Sequence, residues 1–299
     1  MRIAVTGANS SVGLRLLAHA ADAGIAVNAG VRSESALRSL PSHDLISPRI
    51  ISYREPDSLD ALLDDCGSVV HLAGILIPGK HTNYREANVD ATASVADAAR
   101  RCGLQSLVFI SVLGASPGSA NPYFRSKGEA EKIAAGSAPA GVVIRTPILL
   151  GPGSAGSAAL LASVKRGKAS LLGGGKYVLQ PLDVDDLCAA IIAACRRPEA
   201  GTYELAGPER IAYRDLVRQT AELLGLPIRL RSVPVWLARL GAAAGSRLRG
   251  GGITPAVIDV ITADEEVKTN ADDALGIELT PLRETLLKLR AKLRETRPS

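Results

Sequence analysis

The sequence predicts an α/β protein with a Rossmann-type, doubly wound parallel sheet and a smaller, mostly helical C-terminal lobe. Over roughly the first 150 residues, apolar runs of strand length alternate with stretches of helical period, which is typical of βαβ units. A glycine-bearing turn directly follows the first apolar run, where a strand must turn sharply into a helix. Beyond Gly151 the alternation loosens into glycine-rich loops and helices.

We expect strands at residues 3–6, 25–31, 50–53, 68–72, 107–111 and 142–146, with helices at 11–23, 84–101 and 121–135. Further along, we expect helices at 184–194, 213–224, 236–244, 254–263 and 281–295, and a short strand at 203–205. This pattern predicts one domain over residues 1–155 and a substrate or lid lobe over 156–299, from which about 177–205 returns to the core. The lobe is expected to pack across the carboxyl ends of the strands, where ligands bind in open α/β sheets.

Composition narrows the classes of function. Apolar residues make up 46% of the chain, enough for a sizeable core, whereas aromatic residues make up only 3% and leave no stacking platform for single-stranded nucleic acid. The formal charge of +5 is scattered along the chain, so we expect no nucleic-acid partner. We expect instead a small-molecule substrate, and a small anionic ligand that binds to the excess basic residues.

The cysteines and the apolar runs indicate where in the cell the protein is expected. Four widely spaced cysteines form no CxxC pair, and no two histidines have ligand spacing, which argues against a disulfide framework or a metal site. Reduced cysteines favour a cytoplasmic location. We expect no targeting segment ahead of the first strand and no transmembrane segment, because charges interrupt every apolar run. The composition leaves the oligomeric state open.

The turn after the first strand has the residue types that bind a pyrophosphate. Gly7 permits the tight turn, and Gly13 lets the helix pack closely on the strand. Backbone N–H groups at the start of the helix, helped by its dipole, would receive the phosphates. Ser10 stands where many such turns have their middle glycine, and we expect its hydroxyl to crowd the diphosphate slightly. The cofactor-binding residues predicted here are Gly7, Asn9, Ser10, Ser11, Val12 and Gly13.

The residues after the second strand predict which dinucleotide is preferred. NAD-selective sites place an acidic side chain there to hold the ribose 2′-hydroxyl. This chain has Arg32 followed by Ser33, and an arginine can clamp a 2′-phosphate that a carboxylate would repel. The sequence therefore predicts NADP(H) over NAD(H). The other interpretation is that Arg32 is simply solvated.

Tyr123 and Lys127 form the strongest chemical signal in the chain. They lie four residues apart on a predicted helix and therefore share one face. A free tyrosine has a pKa near ~10 and is a poor acid or base at neutral pH. A neighbouring ammonium stabilises the phenolate, so we expect Lys127 to lower the pKa of Tyr123 towards the working range. A lysine can also hold a ribose hydroxyl of the cofactor.

With these motifs in order, the chain resembles the short-chain dehydrogenase/reductase superfamily, in its extended or atypical branch. The stretch from Ile110 to Tyr123 is most similar to the subgroup of the nucleotide-binding accessory subunit of mitochondrial complex I. The resemblance covers about residues 1–210. The segments that carry it are Thr6-Gly7-Ala8 with Gly13, Val70-His71-Leu72-Ala73-Gly74, Asn88-Val89, Phe109-Ile110-Ser111, Tyr123 with Lys127, and Arg145-Thr146-Pro147 with Gly151-Pro152-Gly153.

The resemblance implies roles for these residues. Tyr123 would be the general acid/base and Lys127 its partner. Ser111 would help to hold a substrate carbonyl, and Asn88 would support a proton relay through water. The remaining implied contacts are Leu72, Ala73 and Gly74 at the adenine ribose, and the backbone of Pro147, Ile148 and Leu149 at the nicotinamide carboxamide.

The chain also departs from the family pattern. Ser10 replaces the middle glycine, and Ser52-Tyr53 stands where an aspartate often meets the adenine amino group. Val112 occupies the place of a second hydroxyl residue, so that Ser111 is slightly displaced from the usual catalytic position. Ser111 is accordingly either a substrate contact or a strand-end hydroxyl bonded to the backbone.

Together these features predict an NADP(H)-dependent oxidoreductase that reduces a carbonyl or oxidises an alcohol, with Tyr123 as general acid/base. Two alternatives stay open. A sugar-nucleotide epimerase or dehydratase would keep NAD bound and use it transiently, with Arg229 and Arg231 facing a diphosphate. A non-catalytic, NADPH-holding structural or assembly protein is implied by the resemblance to the complex I subunit.

An arginine-rich stretch in the C-terminal lobe has three interpretations. Residues 223–258 contain no Asp or Glu, and residues 233–240 are apolar on one face. The stretch could form a lid over the substrate, an anion clamp, or an amphipathic helix at a membrane surface, with peripheral contact through residues 233–249. Its arginines are Arg229, Arg231, Arg239, Arg247 and Arg249.

Two further features have structural explanations. Asp183, Asp185 and Asp186 resemble a carboxylate cluster, but acids at the start of a helix are expected to cap it, so we expect no metal there. His71 lies inside an apolar strand and is expected to be a hydrogen-bonded core residue.

Overall fold

The computed structural model of the protein describes residues 1–137 and 139–295. Within them the strands are β1 (Arg2–Thr6), β2 (Ala26–Val31), β3 (Ile46–Ile50), β4 (Ser68–His71), β5 (Ser106–Val112), β6 (Ala140–Thr146), β7 (Leu149–Leu150), β8 (Lys168–Leu172), β9 (Val178–Leu179), β10 (Leu182–Asp183), β11 (Gly201–Glu204), β12 (Ile211–Ala212) and β13 (Arg229–Val233). Seven of them form one parallel sheet in the order β11-β6-β5-β4-β1-β2-β3. The direction of winding reverses between β1 and β4, and a ligand crevice opens at such a switch point.

Helices connect the strands and cover both faces of the sheet. They are α1 (Ser11–Asp22), α2 (Glu34–Leu37), α3 (Pro56–Leu63), α4 (Ala91–Arg101, after a π-helical turn at Arg85–Asp90), α5 (Pro122–Ala135), α6 (Ala155–Lys165), α7 (Val184–Arg196), α8 (Tyr213–Leu224), α9 (Val235–Arg249), α10 (Pro255–Ile261), α11 (Asp272–Leu275) and α12 (Leu282–Glu295). On one face α1 and α7 bury Leu16 and Ile191 against the sheet. On the other face α3 and α5 bury Leu62 and Ala130 around Phe109 of β5. The predicted doubly wound α/β fold is confirmed.

The C-terminal lobe has a core of its own. Leu160 of α6, Leu171 of β8, Leu216 of α8 and Leu286 of α12 are buried together. Three two-stranded pairs complete the lobe, β10 with β7, β12 with β9 and β13 with β8. These strands are too short or too polar to give a strand signal in the sequence, and we had not predicted them. The division of the chain at residue 155 stays a prediction.

The third strand of the sheet lies earlier than predicted. We expected it at 50–53, whereas β3 spans Ile46–Ile50 and pairs with β2. Its sequence contains Pro48 and Arg49, and only Ile46 is buried. An edge strand needs no continuous apolar pattern and tolerates proline, which explains the misplacement. The seventh strand, β11, pairs with β6 and overlaps the predicted short strand at 203–205.

None of the helices in the described part of the chain has both the length and the apolar character needed to cross a membrane.

Candidate functional site

The turn between β1 and α1 brings the backbone close to the neighbouring strand. Gly7 has a φ of +74°, and a Cβ there would lie 3.1 Å from the amide nitrogen of Ala73. A Cβ at Gly13 would lie 2.5 Å from Ala8 O, so only glycine permits this approach of helix and strand. Ser10 caps α1, because its Oγ accepts the Gly13 N–H at 3.0 Å. Its hydroxyl is therefore engaged with α1, and the expectation that it crowds the diphosphate stays a prediction.

A cleft of about 790 Å³ opens beside this turn, at the carboxyl ends of β1, β2 and β4. Its polar wall includes Ser52, Tyr53 and Arg54 from the segment after β3. Ser11, Val12 and Gly13 form the first turn of α1 and are not among the described residues that line this cleft. The predicted cofactor-binding residues that do line it are Gly7, Asn9, Ser10, Arg32, Leu72, Ala73 and Gly74.

Arg32 lies exposed at the wall of the cleft, directly after β2. Within residues 1–137 and 139–295, no carboxylate forms an ion pair with it. Ser33 is occupied locally, since its Oγ accepts the Ala36 N–H at 3.2 Å and caps α2. The cleft thus presents an exposed guanidinium, which suits an anionic group of a ligand.

Tyr123 and Lys127 lie in the first turns of α5. Asn121 caps the helix by accepting the Tyr123 N–H at 3.0 Å, which fixes where the helix begins. Both side chains are buried. Lys127 Nζ donates to Ile110 O at 2.7 Å and lies 4.1 Å from the ring centroid of Phe109.

The pKa of Tyr123 does not shift in the direction we expected. Burial raises it, and Tyr84 and Glu265 add to the rise. Burial also lowers the pKa of Lys127 to about 7. Because the Lys127 amine is bonded to Ile110 O, the predicted stabilisation of a phenolate is absent from this arrangement. Tyr123 is consequently protonated at neutral pH.

Ser111 is the buried hydroxyl at the carboxyl end of β5. Its Oγ has no hydrogen-bond partner within the described structure. The interpretation of Ser111 as a hydroxyl bonded to the backbone is therefore wrong for this arrangement. A buried hydroxyl without a partner costs free energy unless a ligand atom satisfies it. The neighbouring Val112, which we had placed at the usual catalytic position, is half-buried.

Asn88 joins three elements at the site. It lies in the π-helical turn before α4, and its Oδ1 accepts the Ile75 N–H at 2.8 Å. Its Nδ2 donates to Ser126 Oγ on α5 at 2.9 Å and to Ile75 O at 3.3 Å. A Cβ at Gly74 would lie 3.1 Å from Asn88 Oδ1, so the loop after β4 packs tightly here. Asn88 holds this loop against α5, and its role in a proton relay stays a prediction.

His71 is a buried core residue, as expected. Its Nδ1 lies 2.6 Å from Thr6 Oγ1, and its ring stacks on Phe109 with centroids 5.7 Å apart. Burial lowers the pKa of His71 to about 3, and the nearby Lys127 adds to this effect. His71 is therefore uncharged at neutral pH.

The acidic residues at the start of α7 bind groups in and just before α12, and Asp183 caps α7. Asp183 accepts the Asp185 N–H at 2.9 Å and the Lys288 amine at 2.8 Å. Asp186 accepts the N–H and the hydroxyl of Thr280, each at 2.7 Å. The predicted capping role is confirmed for Asp183, while Asp185 and Asp186 lie in the first turn of α7. Across the described ranges, no group of three or more His, Cys, Asp or Glu is arranged to hold a metal ion.

Residues 3–206 match the NAD dependent epimerase/dehydratase family. This range includes the glycine turn, Arg32, Ser111, Tyr123 and Lys127, and it covers more than half of the chain. The chain belongs to this family. The resemblance to the extended short-chain dehydrogenases is thereby confirmed, and the family's nicotinamide dinucleotide fits the close backbone approach at Gly7.

Curated relatives of this epimerase/dehydratase family member are distant. The chain is 26% identical over 181 residues to ceramide reductase of Caulobacter vibrioides, covering 60% of this chain and 57% of that protein. It is 28% identical over 203 residues to mitochondrial NADH dehydrogenase (ubiquinone) 1 alpha subcomplex subunit 9 of Arabidopsis thaliana, covering 66% of this chain and 50% of that protein. The chain thus spans only about half the length of these two relatives, and the second confirms the resemblance to the complex I subunit.

A third relative and the solved structures align with more of the chain. The 4-hydroxy-2-methyl-3-oxo-4-farnesyl-3,4-dihydroquinoline-1-oxide ketoreductase of Stigmatella aurantiaca is 25% identical over 270 residues, which cover 83% of this chain and 80% of that protein. MoeE5 in complex with UDP-glucuronic acid and NAD aligns with a TM-score of 0.78 at 20% identity, over 99% of this chain and 100% of that chain. The enzyme WbmH of Bordetella bronchiseptica in complex with NAD⁺ aligns with a TM-score of 0.77 at 19% identity, over 99% of both chains. At these identities the structures support the family's fold alone.

Glu265 is a residue of the site that we did not predict. Both of its carboxylate oxygens lie 3.0 Å from the Ile148 amide nitrogen, whose N–H they accept. The resemblance assigns this backbone, at Pro147, Ile148 and Leu149, to the nicotinamide carboxamide. Glu265 comes from the loop between α10 and α11, where its own N–H donates to Val178 O at 2.8 Å. A run of three acids in a loop indicates a solvated surface, so the sequence carried no signal for this contact.

Burial raises the pKa of Glu265 to about 7, and the hydrogen bond from the Ile148 N–H opposes this rise. The folded state therefore binds more protons than the unfolded state between pH 4.5 and about 7, and its free energy of unfolding falls as pH rises through that window. We expect Glu265→Gln to remove this loss and to be more stable than the unmodified protein at high pH, by at most about 3 kcal/mol. Urea denaturation of both proteins at about pH 5 and about pH 8 measures the difference.

The exposed neighbour Glu266 provides the control for this prediction. It pairs with Arg210 at 2.8 Å on the surface, so Glu266→Gln should change stability little at either pH. A stability difference between Glu265→Gln and the unmodified protein that stays constant with pH would contradict a raised pKa for Glu265.

Proposed function

We propose that this protein is an NADP(H)-dependent oxidoreductase that reduces the carbonyl group of a small molecule, or oxidises the corresponding alcohol. The observation that carries the proposal is the unpartnered, buried Oγ of Ser111. It lies at the end of β5, the strand whose Ile110 O receives Lys127 from the helix that bears Tyr123. A substrate carbonyl oxygen could accept a hydrogen bond from the Ser111 hydroxyl, for which the described residues supply no acceptor.

When bound, the nicotinamide dinucleotide would supply the hydride. The cleft wall at Gly7, Asn9 and Ala73 would hold its adenosine half, and Arg32 would meet a 2′-phosphate. Tyr123 would donate its phenolic proton to the oxygen on which negative charge develops. Because burial keeps Tyr123 protonated, the arrangement favours carbonyl reduction over alcohol oxidation at neutral pH.

The relatives support a substrate that carries an apolar chain. One relative is named for a ceramide and another for a farnesyl-bearing quinoline oxide, and both names denote reductases. Both groups contain long hydrocarbon chains. In this chain the loops beside Tyr84 and Tyr123 expose the apolar side chains of Ile77 and Ile253. We therefore include a hydrocarbon-bearing ketone in the proposed substrate class.

Alanine substitutions of two buried serines in β5 test whether Ser111 has a catalytic role or only a structural one. Ser111→Ala should lower kcat/KM for NADPH-dependent ketone reduction by about 100-fold, because it removes a donor to the developing oxyanion. It should leave the free energy of unfolding unchanged or higher, since no hydrogen bond is lost. NADPH absorbance with a panel of ketones and urea denaturation measure the two effects.

Ser106, also buried in β5, is the matched control. Its Oγ donates to Ser68 Oγ at 2.8 Å, so Ser106→Ala should cost about 1 kcal/mol of stability and leave kcat/KM unchanged. The proposal fails if Ser111→Ala retains full activity, or if both variants lose activity in proportion to stability.

A nucleotide-holding role without turnover is the second candidate, and two observations favour it. The relative that is a subunit of NADH dehydrogenase matches residues over 66% of this chain. In addition, the Lys127 amine is bonded to Ile110 O instead of stabilising a Tyr123 phenolate. Tight NADPH binding without consumption of NADPH by any ketone would favour this role. The epimerase alternative predicts that the bound dinucleotide cofactor is unchanged after each turnover of a sugar-nucleotide substrate.

A further inference from the structure

The outward side of α9 carries large apolar side chains, whereas its half-buried side carries small ones. Trp236, Leu237, Leu240 and Leu248 are 64%, 49%, 61% and 88% exposed. After Val235, the half-buried positions of α9 are alanine, glycine or serine. A surface helix normally turns its large apolar residues inward, so the reverse arrangement indicates a surface that meets an apolar partner. We call these four residues the α9 apolar face.

Positive charge lies on α9 and on the strand pair just before it. From residue 223 to 258 the chain contains no Asp or Glu. Arg247 is exposed on α9 itself, and Arg229 and Arg231 are exposed on β13, just before it. Lys168 lies opposite Arg229 in the neighbouring strand β8 and is also exposed. None of these four cations forms an ion pair with a residue that the structure describes, so their charge is available to an external anion.

The C-terminal end of α9, which bears Leu248 of the α9 apolar face, lies next to the mouth of the candidate site. After α9, the Gly252 N–H donates to Pro78 O at 2.8 Å, which ties the end of the helix to the loop after β4. In that loop Leu76 O accepts from the Tyr84 hydroxyl at 2.8 Å. The Tyr84 ring lies 5.8 Å from the Tyr123 ring, centroid to centroid. A partner on α9 would therefore adjoin the entrance to the residue proposed as proton donor.

We infer that the α9 apolar face, with its surrounding arginines, docks on the surface of an anionic lipid bilayer. Apolar side chains of an amphipathic helix enter the boundary between headgroups and acyl chains, and basic residues beside them attract anionic headgroups. A second copy of the same face would bring these cations against one another, which disfavours a symmetric dimer. Docking would place the site mouth at the bilayer, where a hydrocarbon-bearing ketone partitions; this last step rests on the proposed function.

Trp236 reports on the docking directly, because it is the chain's single tryptophan. Vesicles of phosphatidylcholine with phosphatidylglycerol should shift its emission to the blue, and brominated acyl chains should quench it. Vesicles of phosphatidylcholine alone should bind at least about tenfold more weakly, because each basic residue near an anionic surface contributes about fivefold in affinity. High salt should remove most of this difference.

Matched variants separate the apolar and the charged contributions. Leu237→Glu with Leu240→Glu should weaken binding to anionic vesicles at least about tenfold. Arg231→Gln with Arg247→Gln should weaken it by about 25-fold and reduce the salt dependence. Ile50→Glu, at an exposed apolar position on the edge strand β3, should leave vesicle binding unchanged.

Vesicle binding is measured without turnover, so its outcome is separate from that of the Ser111 experiment. The inference is overturned if anionic vesicles at low salt leave Trp236 emission unshifted, or if the double-glutamate variant binds as well as the unmodified protein. It is also overturned if emission shifts with protein concentration in the absence of lipid and sedimentation shows a dimer. That result would assign the α9 apolar face to a second copy of the chain.

Discussion

Replacing Tyr123 with phenylalanine is expected to lower kcat for ketone reduction at least about 100-fold, because general acid catalysis typically contributes that much or more. The ring keeps its packing against Tyr84 and Phe124, with centroids 5.8 Å away in both cases, and only the hydroxyl is lost. The adenosine cleft does not include Tyr123 among the described residues that line it, so the Kd for NADPH should change little. Steady-state kinetics and calorimetric titration of NADPH measure the two quantities.

Tyr203→Phe is the control for this experiment. Tyr203 lies on the edge strand β11 and packs against the core on the α1 and α7 face of the sheet, whereas α5 covers the opposite face. Its hydroxyl donates to Glu199 O at 3.1 Å, and its loss should leave kcat unchanged. Full turnover by the Tyr123→Phe protein would show that another group donates the proton. A large loss of NADPH affinity together with turnover would instead give Tyr123 a cofactor-positioning role.

The central sheet could be predicted because its inner strands are continuous apolar runs. β4 and β5 are buried on both faces, so Val69, Val70 and Val108 leave a clear pattern in the sequence. The edge strand β3 has one exposed face and contains Pro48, and the prediction was displaced there. The short pairs in the C-terminal lobe are two to five residues long and left no periodic signal.

In the candidate site, features that depend on residues close in sequence could be predicted, whereas contacts between residues distant in sequence could not. Tyr123 and Lys127 lie on one helix, and Gly7 and Gly13 lie at the two ends of one turn, so sequence spacing alone could predict that each pair shares one element. Glu265 meets Ile148 across 117 residues of sequence through a backbone N–H, and no side-chain pattern records such a contact. The Lys127 side chain points towards Ile110 O because of how it packs over the Phe109 ring, and the spacing of residues in the sequence does not reveal this packing.

Arg32→Ala is expected to remove most of a preference for NADPH over NADH. A charge-assisted contact between a guanidinium and a phosphate contributes ~1.5–3 kcal/mol, which corresponds to roughly tenfold to somewhat over a hundredfold in affinity. The unmodified protein should therefore bind NADPH at least about tenfold more tightly than NADH. The cleft carboxylates Glu86 and Asp90 are paired with Arg54 and Arg85, so neither neutralises Arg32. Calorimetric titration of both nucleotides measures the preference.

Arg54 provides the matched control, because it lines the same cleft and is exposed, but is paired with Glu86 at 3.6 Å. Arg54→Ala should change the affinities for NADPH and NADH by similar factors, since it has no predicted contact with the 2′-phosphate. Arg32→Ala should lower the affinity for NADPH and leave that for NADH nearly unchanged, because only NADPH carries the second anion. Equal affinities in the unmodified protein, or tighter binding of NADH, would show that Arg32 is solvated and that the site is built for NAD(H).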